Sequence, residues 1–531
     1  MVAVPTPPPA TASPATGPPT GVSPATDALP QPDDHGSEHI PVLIVGTGFA
    51  GLGAAIAMER EGREYVVLER ADDLGGTWRD NRYPGCRCDV PSHLYSFSFA
   101  LNPEWSETYS PQSEIREYLR RVAADHGVLE RVRFDCEVRD ARWDDQRQRW
   151  RLDTAQGTMT SEVLILGNGP LAEPAIPEIP GREDFQGTTF HSAAWSDHDL
   201  TDERVAVIGT GASAIQFVPE IQPVVGSLTI FQRTPPWVLP HRNRPISEAE
   251  RAVYRRFPGA QRLVRNLVYW SRELFATALF NNTSTLVRLE RLATRHLRGQ
   301  VPDPELRARL TPDYRPGCKR LLLSDDWYPA LQRPDVEVVT EKITEIRPHA
   351  VVTSDGVEHE VDTIIYGTGF HVTDNPIAEK VTGAHGQTLA EAWQRHGAQA
   401  YLGSTVPGFP NLFLLAGPNT GIGHTSLVVM IEAQIGYVVD ALRTRDERGA
   451  AAIDLRAPVL EAWIREIQAK AAGTVWNSGG CSSWYLDDEG RNTTLWPEHT
   501  FRFRRRTRRF DVESYELTAP VDAPVTEEVS R

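Results

Sequence analysis

Two glycine-rich turns constrain the fold of this chain more than any other feature of its sequence. The first lies in VLIVGTGFAGLG and contains Gly46, Gly48 and Gly51; the second lies in VAVIGTGASA and contains Gly209 and Gly211. Each turn follows an apolar run typical of a buried parallel strand and precedes a helical pattern, so it can hold a pyrophosphate at a helix N-terminus. The sequence therefore predicts an α/β fold with two Rossmann-like dinucleotide-binding domains.

The residues that follow the two turns differ in charge. Glu69 ends the strand after the first turn, whereas Arg233 and Thr234 follow the strand after the second turn, in which Ser213 precedes the helix. A carboxylate at this place accepts hydrogen bonds from ribose hydroxyls, and an arginine pairs with a 2′-phosphate that a carboxylate would repel. We therefore expect FAD at the first turn and NADPH at the second. The alternatives are a tight turn without a ligand for the first motif and a surface ion pair for Arg233.

Composition and charge narrow the range of partners. Of the 531 residues, 40% are hydrophobic and 24% are charged, and the formal net charge is -16. An acidic protein is a poor partner for nucleic acid or for an anionic membrane. The most apolar helical stretch, 262–280, carries charged residues within it and is unsuited to span a bilayer. We expect a protein that binds neither nucleic acid nor membrane.

The cysteines indicate neither a disulfide framework nor a metal site. Their number is odd and their positions are scattered: Cys86, Cys88, Cys136, Cys318 and Cys481. This usage is typical of a cytoplasmic protein whose thiols stay reduced, and no second cluster completes a zinc site. We therefore expect no disulfides, no metal and a cytoplasmic location.

Changes of pattern along the chain predict its domains. The N-terminal segment is rich in proline, alanine and threonine and has too few large apolar side chains to form a core, and FRFRRRTRRF at 501–510 alternates like an edge strand with solvated arginines. The expected units are a disordered tail (1–38), a first part of the FAD domain (39–175), a first part of the NADPH domain (176–239), a helical insert (240–315), a second part of the NADPH domain (316–375), and a second part of the FAD domain with the C-terminal segment (376–531).

Two dinucleotides on one chain imply hydride transfer from nicotinamide to flavin. No cysteine pair has the spacing of a dithiol acceptor, so oxygen is the simplest acceptor left. Between the turns lies FQGTTFHSAAW, with Phe185, Gly187, His191 and Trp195. Together with the glycine turns, this segment resembles the fingerprint of the Baeyer-Villiger monooxygenases, and the resemblance spans residues 39–515. It implies an FAD- and NADPH-dependent enzyme that converts ketones into esters or lactones with O2.

The resemblance also implies roles for the residues that shape the site. It makes the segment 185–195 a conformational link between domains, although a lone His191 is more often a buried, hydrogen-bonded side chain. LGGTW, with Gly76, Thr77 and Trp78, resembles the flavin-contacting loop, with a capped turn as the alternative. GPNTGIGHTS at 417–426 is expected to close over the flavin ring. Trp476 and Trp484 lie where the family has part of its substrate wall, although tryptophan is more often a core residue.

The catalytic part of the resemblance rests on two segments. YPGCRCDVPSHLYSFSF resembles the segment whose aspartate lies by the flavin, and GCKRLLLSDDWY resembles the segment with the active-site Lys-Arg pair, which points to Asp89, Lys319 and Arg320. Arg320 would keep a flavin C4a-peroxide anionic, Asp89 would hold the guanidinium, and Lys319 would reach the NADPH phosphate. Without the resemblance, Asp89 fits a turn or helix cap and Arg320 a surface charge.

Two other functions stay open from the sequence. An N- or S-oxygenating flavin monooxygenase shares the two turns but uses a protonated hydroperoxide and needs no arginine beside it. A non-catalytic redox sensor would bind FAD and NADPH and change shape for a partner. Neither the ketone nor the oligomeric state, monomer or homo-oligomer, follows from the sequence.

Overall fold

The computed structural model of the protein describes residues 37–281 and 283–521. Residues 1–36 of the predicted tail lie outside the described residues, and the first strand begins at Glu38, the last residue expected in the tail. The strands in the described part are β1 (Glu38–His39), β2 (Val42–Val45), β3 (Tyr65–Leu68), β4 (Val132–Arg133), β5 (Val138–Asp144), β6 (Arg149–Thr154), β7 (Gly157–Ser161), β8 (Val163–Leu166), β9 (Thr188–His191), β10 (Arg204–Ile208), β11 (Ser227–Phe231), β12 (Val238–Leu239), β13 (Leu322–Leu323), β14 (Val336–Val339), β15 (Ile343–Arg347), β16 (Ala350–Thr353), β17 (Glu358–Glu360), β18 (Thr363–Tyr366), β19 (Val381–Thr382), β20 (Leu412–Leu414), β21 (Ala452–Leu455) and β22 (Tyr515–Thr518).

The α-helices in the same part of the chain are α1 (Phe49–Arg60), α2 (Thr77–Asp80), α3 (Gln112–Asp125), α4 (Ala214–Ile221), α5 (Glu248–Arg256), α6 (Pro258–Asn281), α7 (Thr283–Gln300), α8 (Pro304–Arg309), α9 (Trp327–Ala330), α10 (Leu389–Gln394), α11 (Leu427–Glu447), α12 (Ala457–Ala471), α13 (Val475–Ser478) and α14 (Thr500–Arg506).

The first glycine turn belongs to a five-stranded sheet with the order β20-β8-β2-β3-β4, in which all pairs are parallel. The predicted β-α-β unit is confirmed as β2, α1 and β3. Its strands are continuous apolar runs because both faces of the sheet are covered. One cover is a second five-stranded sheet, β1-β7-β6-β5-β19, whose Trp150 and Leu152 share a buried cluster with Leu43 and Leu164.

The second glycine turn belongs to another parallel sheet, with the order β14-β11-β10-β18-β9. Here β10, α4 and β11 form the second predicted β-α-β unit. Ile44 of the first sheet and Val207 of the second belong to one continuous buried cluster, so the two units pack against each other. The predicted fold class, α/β with two Rossmann-like units, is confirmed.

The chain between β12 and β13 is helical and contains α5–α8. Helix α5 begins with a capping box, in which the Ser247 hydroxyl accepts from the Glu250 N–H and the Glu250 carboxylate accepts from the Ser247 N–H. Helix α6 then runs for 24 residues, and α13 packs against it.

The prediction of an edge strand at 501–510 is wrong, because Thr500–Arg506 form α14. Thr500, Phe503, Thr507 and Phe510 are buried. Thr500, Phe503 and Thr507 are three and four residues apart, which is the spacing of one helix face, and Phe510 is buried beyond the end of α14. The Phe-Arg-Phe alternation covers only three residues and is compatible with both periods, so tertiary packing decides the structure.

Candidate active site

The first glycine turn leaves space for a diphosphate at the N-terminus of α1. A Cβ on Gly51 would lie 1.8 Å from the Gly46 carbonyl oxygen, so glycine is required where the helix crosses the strand. A Cβ on Gly48 would meet nothing closer than the Gly76 Cα, at 3.9 Å. Since Gly48 gives α1 no side-chain cap, the first N–H groups of the helix are free to bind an anion.

Glu69 lies after β3, as predicted, within a buried network. Its carboxylate accepts hydrogen bonds from the Thr47 N–H at 3.0 Å and the Thr47 hydroxyl at 2.5 Å, and it forms an ion pair with Arg79 at 2.8 Å. The sequence analysis missed Arg79, although its place directly after LGGTW was a usable signal. The acid that was expected to bind ribose therefore also holds the turn and α2 together.

The LGGTW loop packs on the first glycine turn. The Gly75 N–H donates to the Thr47 carbonyl at 3.1 Å, and Thr77 begins α2. The Trp78 indole donates to the Tyr95 hydroxyl at 3.0 Å. Gly76 thus lies beside Gly48, and Thr77 and Trp78 follow it at the start of α2.

The second glycine turn is close-packed at Gly209 and open at Gly211, and Arg233 lies nearby. Gly209 has a φ of 110°, and a Cβ on it would lie 2.4 Å from the Gly367 carbonyl oxygen. Gly211 is open, Ser213 precedes α4, and the Thr210 hydroxyl donates to the Thr234 carbonyl at 3.3 Å. Arg233 is exposed at the end of β11.

Lys319 lies within electrostatic range of Arg233 although it is distant in sequence. Burial lowers the pKa of Lys319, and the positive charge of Arg233 lowers it further. Within residues 37–281 and 283–521, neither cation forms an ion pair with a carboxylate. The surface ion pair considered for Arg233 is therefore absent from the described part of the structure. Asp313 is near enough for its charge to act on Lys319, and two neighbouring cations without a direct ion pair suit a bound phosphate.

Asp89 and Arg320 form a bidentate ion pair across 231 residues of sequence. Arg320 Nη2 donates to Asp89 Oδ1 at 2.6 Å, and Nε donates to Oδ2. Burial raises the pKa of Asp89, but the charge and hydrogen bonds of Arg320 outweigh it and bring the pKa below its ordinary value. The charge of Asp89 in turn raises the pKa of Arg320. Since the side chains are 32% (Arg320) and 26% (Asp89) exposed, the fixed guanidinium faces open space.

Two further residues adjoin the ion pair and were missed by the sequence analysis. Tyr485 is 1% exposed, and its hydroxyl interacts with the Arg320 guanidinium. Arg272 on α6 donates to the Tyr109 hydroxyl at 2.9 Å, and its charge also helps to lower the pKa of Asp89, after the larger effects of burial and Arg320. Neither residue had a motif of its own, and only the fold brings them to Asp89.

The segment 417–426 contains buried polar atoms without partners. Among the described residues, Asn419 Oδ1, both ring nitrogens of His424 and the Thr425 hydroxyl have no hydrogen-bond partner. Burial lowers the pKa of His424 to about 3, so its ring is neutral, and Glu273 at 3.9 Å does not form a charged pair with it. Buried polar groups are nearly always satisfied, so these atoms fit a polar ligand such as the flavin ring expected here.

The prediction of no disulfides is wrong. Cys318 and Cys481 form a disulfide, with Cα atoms 6.1 Å apart. The cause is spatial, because the fold brings together two cysteines 163 residues apart and sequence spacing carries no sign of it. The bond joins the turn before Lys319 and Arg320 to the loop that carries Trp484 and Tyr485.

The fingerprint residues link the two units structurally. Trp195 packs against Phe217 of α4 at 5.2 Å and against Tyr83 at 6.3 Å between ring centroids. His191 ends β9, and its Nδ1 accepts from the Ala193 N–H at 3.1 Å. Burial lowers the pKa of His191 to about 4, so the ring is neutral at physiological pH.

The other two fingerprint positions lie at the same edge of the second unit. Phe185 packs on the cluster formed by Ile208, Phe231 and Ile364. Gly187 lies so close to the Asp362 carbonyl that a Cβ would be 2.1 Å from it.

The two candidate pocket tryptophans differ in burial. Trp476 is 1% exposed and packs with Leu279, Val475 and Tyr485. Trp484 is 46% exposed, and its ring lies 4.5 Å from that of Tyr485. Their role in binding a substrate stays a prediction.

The described residues contain neither a metal-binding cluster nor a membrane-spanning helix. No group of three or more His, Cys, Asp or Glu side chains in ranges 37–281 and 283–521 could hold a metal ion. No helix in that part of the chain is long and apolar enough to cross a bilayer.

Comparisons with known proteins agree with this arrangement. Residues 43–247 match a family described as pyridine nucleotide-disulphide oxidoreductases. The chain is 52% identical to a Baeyer-Villiger monooxygenase of Streptomyces coelicolor, over 92% of this chain and 94% of that protein. It is 47% identical to a Baeyer-Villiger monooxygenase of Pseudomonas aeruginosa, over 94% and 95% of the two chains.

A solved structure of OTEMO in complex with FAD and NADP superposes with a TM-score of 0.82 at 27% identity, covering 90% of this chain and 99% of that one. The likeness extends through both dinucleotide-binding units and the chain between them. On the identity to its two relatives over nearly its whole length, the chain belongs to the Baeyer-Villiger monooxygenase family.

Proposed function

We propose that the protein is an FAD- and NADPH-dependent Baeyer-Villiger monooxygenase that converts ketones into esters or lactones with O2. One oxygen atom enters the product beside the carbonyl, the other leaves as water, and NADPH with one proton supplies the two electrons. FAD is proposed for the unit of Gly46, Gly48, Gly51 and Glu69, and NADPH for the unit of Gly209, Gly211, Arg233 and Lys319. The OTEMO structure, which contains FAD and NADP, supports both cofactors.

The observation that carries the proposal is the bidentate Asp89–Arg320 pair. The pair lies close to the LGGTW loop through Tyr95, whose hydroxyl accepts the hydrogen bond of the Trp78 indole. Burial raises the pKa of Tyr95, and the charges of Asp89 and Arg320 also affect it, so both charged groups lie near this hydroxyl. The pair therefore fixes a positive charge beside the loop. When bound, reduced flavin would supply the reaction with O2. Arg320 would stabilise the negative charge of the resulting oxidant, and Asp89 would hold the guanidinium in place, so that no reorganisation is needed during the reaction.

Product analysis tests the proposal. The purified holoenzyme is incubated with NADPH, 18O2 and a panel of cyclic, linear and aryl ketones, and we expect esters or lactones with one labelled oxygen atom. Sulfides and amines in the same panel test the N- or S-oxygenating alternative, for which products would form from these and not from ketones. A redox sensor would show no substrate-stimulated NADPH oxidation with any compound.

The variant Arg320→Ala tests the role of the guanidinium. We expect it to bind flavin and to be reduced by NADPH, but to form ester about 100- to 1,000-fold more slowly, since one stabilising donor is lost. Arg151→Ala removes an exposed arginine of β6 and is the matched control. Ketone turnover by Arg320→Ala at the control rate would refute the assignment.

A further inference from the structure

Helix α6 buries several polar side chains on its inward face. Four of its buried side chains recur every four residues and make hydrogen bonds to the protein: Gln261, Arg265, Tyr269 and Glu273. Ala276 and Leu279, nearer the end of the helix, are buried and apolar. Arg265, for example, donates to the Ser96 carbonyl at 3.1 Å, and the Glu273 carboxylate accepts from the Thr500 N–H at 3.1 Å. Each of these four side chains therefore has a hydrogen-bond partner within the protein, although Arg265 Nε has none among the described residues.

The opposite face of α6 is apolar and exposed. Leu263, Leu267, Trp270 and Leu274 are 60%, 63%, 53% and 76% exposed, and their spacing places them on one stripe, which we name the α6 outer face. An ordinary surface helix presents mainly charged and polar side chains to solvent, so this exposed apolar stripe is unusual.

Neighbouring aromatic side chains extend the α6 outer face. Phe501 of α14 is 39% exposed, and its ring centroid lies 6.0 Å from that of Trp270. Phe257, directly before α6, is 59% exposed. A patch of exposed apolar side chains of this kind is uncommon on a monomeric protein and is typical of a surface that contacts another protein or a membrane.

Arginines surround the patch. Arg256 lies beside Phe257, with the guanidinium 5.5 Å from the ring centroid, and Arg262 is exposed on α6 itself. On α14, Arg504 and Arg505 are exposed. Burial lowers the pKa of Arg265, and the charge of Arg504 adds to the effect, which sets Arg504 close to α6. Over the described ranges, Arg256, Arg262, Arg504 and Arg505 have no carboxylate partner in an ion pair.

The combination of exposed leucine, tryptophan and unpaired arginine favours one kind of binding partner for the patch. A second copy meeting the patch face to face would bring the two sets of arginines together. An anionic lipid surface instead accepts leucine and tryptophan at its interface and pairs phosphates with arginine. The net charge of -16 opposes approach at long range, but screening confines that repulsion to about 8 Å at physiological salt.

We propose that the α6 outer face docks on an anionic phospholipid bilayer, with α6 lying in the plane of the membrane surface. The helix does not span the bilayer. Its outer face enters the headgroup region, and Arg256, Arg262, Arg504 and Arg505 contact lipid phosphates. This proposal departs from the expectation, based on net charge, that the chain has no membrane partner, because four exposed arginines lie beside the α6 outer face.

Vesicle flotation tests the proposal. The holoenzyme is mixed with vesicles of phosphatidylcholine alone or with about 30% phosphatidylglycerol, at low salt and at about 0.5 M salt. We expect flotation with the anionic vesicles that weakens with salt, and at least about tenfold weaker binding to phosphatidylcholine alone. No flotation with anionic vesicles at low salt would overturn the proposal.

Two pairs of substitutions map the contact. Leu267→Gln with Leu274→Gln should weaken binding to anionic vesicles by about tenfold or more, and Arg262→Gln with Arg505→Gln should weaken it and remove most of its salt dependence. The control, Leu129→Gln with Leu517→Gln, changes two exposed leucines outside the patch and should bind like wild type. Bound flavin and the thermal unfolding midpoint verify the fold of each variant.

Light scattering separates the lipid surface from a second copy. We expect the oligomeric state in solution to be the same for wild type and for the Leu267→Gln, Leu274→Gln variant. A wild-type dimer that this variant converts to a monomer would assign the α6 outer face to self-association and would overturn the proposal. Equal vesicle binding by that variant and by the Leu129, Leu517 control would also overturn it.

Discussion

At the residue scale, the Asp89–Arg320 pair depends on geometry as well as charge. Lysine at position 320 keeps a positive charge but lacks the planar fork that binds both oxygens of Asp89. We expect Arg320→Lys to bind flavin and to accept hydride from NADPH at the wild-type rate, and to form ester about 10- to 100-fold more slowly. Stopped-flow reduction and product analysis measure these two steps separately.

The pH profile gives a second check on the same pair. Because the pKa of Asp89 is lowered and that of Arg320 is raised, both stay charged between about pH 6 and 9. Asp89→Asn should therefore lower kcat for the ketone without changing the shape of its pH profile in that range. A changed shape would mean that Asp89 titrates within the working range.

Arg233 and Lys319 lead to a prediction about the choice of nicotinamide. If both cations bind the 2′-phosphate, Arg233→Ala should raise KM for NADPH about 10- to 100-fold and leave KM for NADH unchanged, since charged hydrogen bonds contribute about 1.5–3 kcal/mol. Lys319→Ala should act in the same direction. An equal loss with both nucleotides in steady-state assays would argue against a phosphate contact.

At the element scale, the Cys318–Cys481 disulfide fastens the loop of Tyr485 to the turn of Arg320. Apart from it, the Arg315 N–H to Gly479 carbonyl bond, at 3.0 Å, connects the same segments. We expect Cys481→Ser to speed amide hydrogen exchange in residues 475–485 and to divert more NADPH into hydrogen peroxide, because Tyr485 is then held less firmly. Cys136→Ser, at a free buried thiol, is the control. Unchanged exchange in that loop would contradict the prediction.

The elements also show which features the sequence can disclose. The units β2-α1-β3 and β10-α4-β11 are local, so an apolar run, a glycine turn and a helical pattern suffice to predict them. The Asp89–Arg320 pair was reached only through a family resemblance, because nothing local relates two residues 231 positions apart. The disulfide, Tyr485 and the helical state of 500–506 depend on contacts between distant segments, which a single sequence does not contain.

At the scale of the whole molecule, a bound flavin should contribute to stability. The unpaired polar atoms of Asn419, His424 and Thr425 would gain partners from a polar ligand bound beside them, such as the flavin ring. Removing FAD should therefore lower the thermal unfolding midpoint by several degrees, and added FAD should restore it in a concentration-dependent way. Scanning calorimetry of the apoprotein and holoprotein measures this. Identical midpoints would place those atoms outside the flavin site.

The exposed leucines and buried polar side chains of α6 determine how substitutions in this helix should be interpreted. At Glu273, an apolar replacement leaves the Thr500 N–H and the His499 ring without their acceptor, at a cost of about 2–4 kcal/mol. At Leu267 or Leu274, glutamine or lysine would change the free energy of unfolding by only about 0.5 kcal/mol. A survey of natural or engineered variants would thus find tolerance at Leu267 and Leu274 and intolerance at Glu273, the opposite of what hydrophobicity alone would rank.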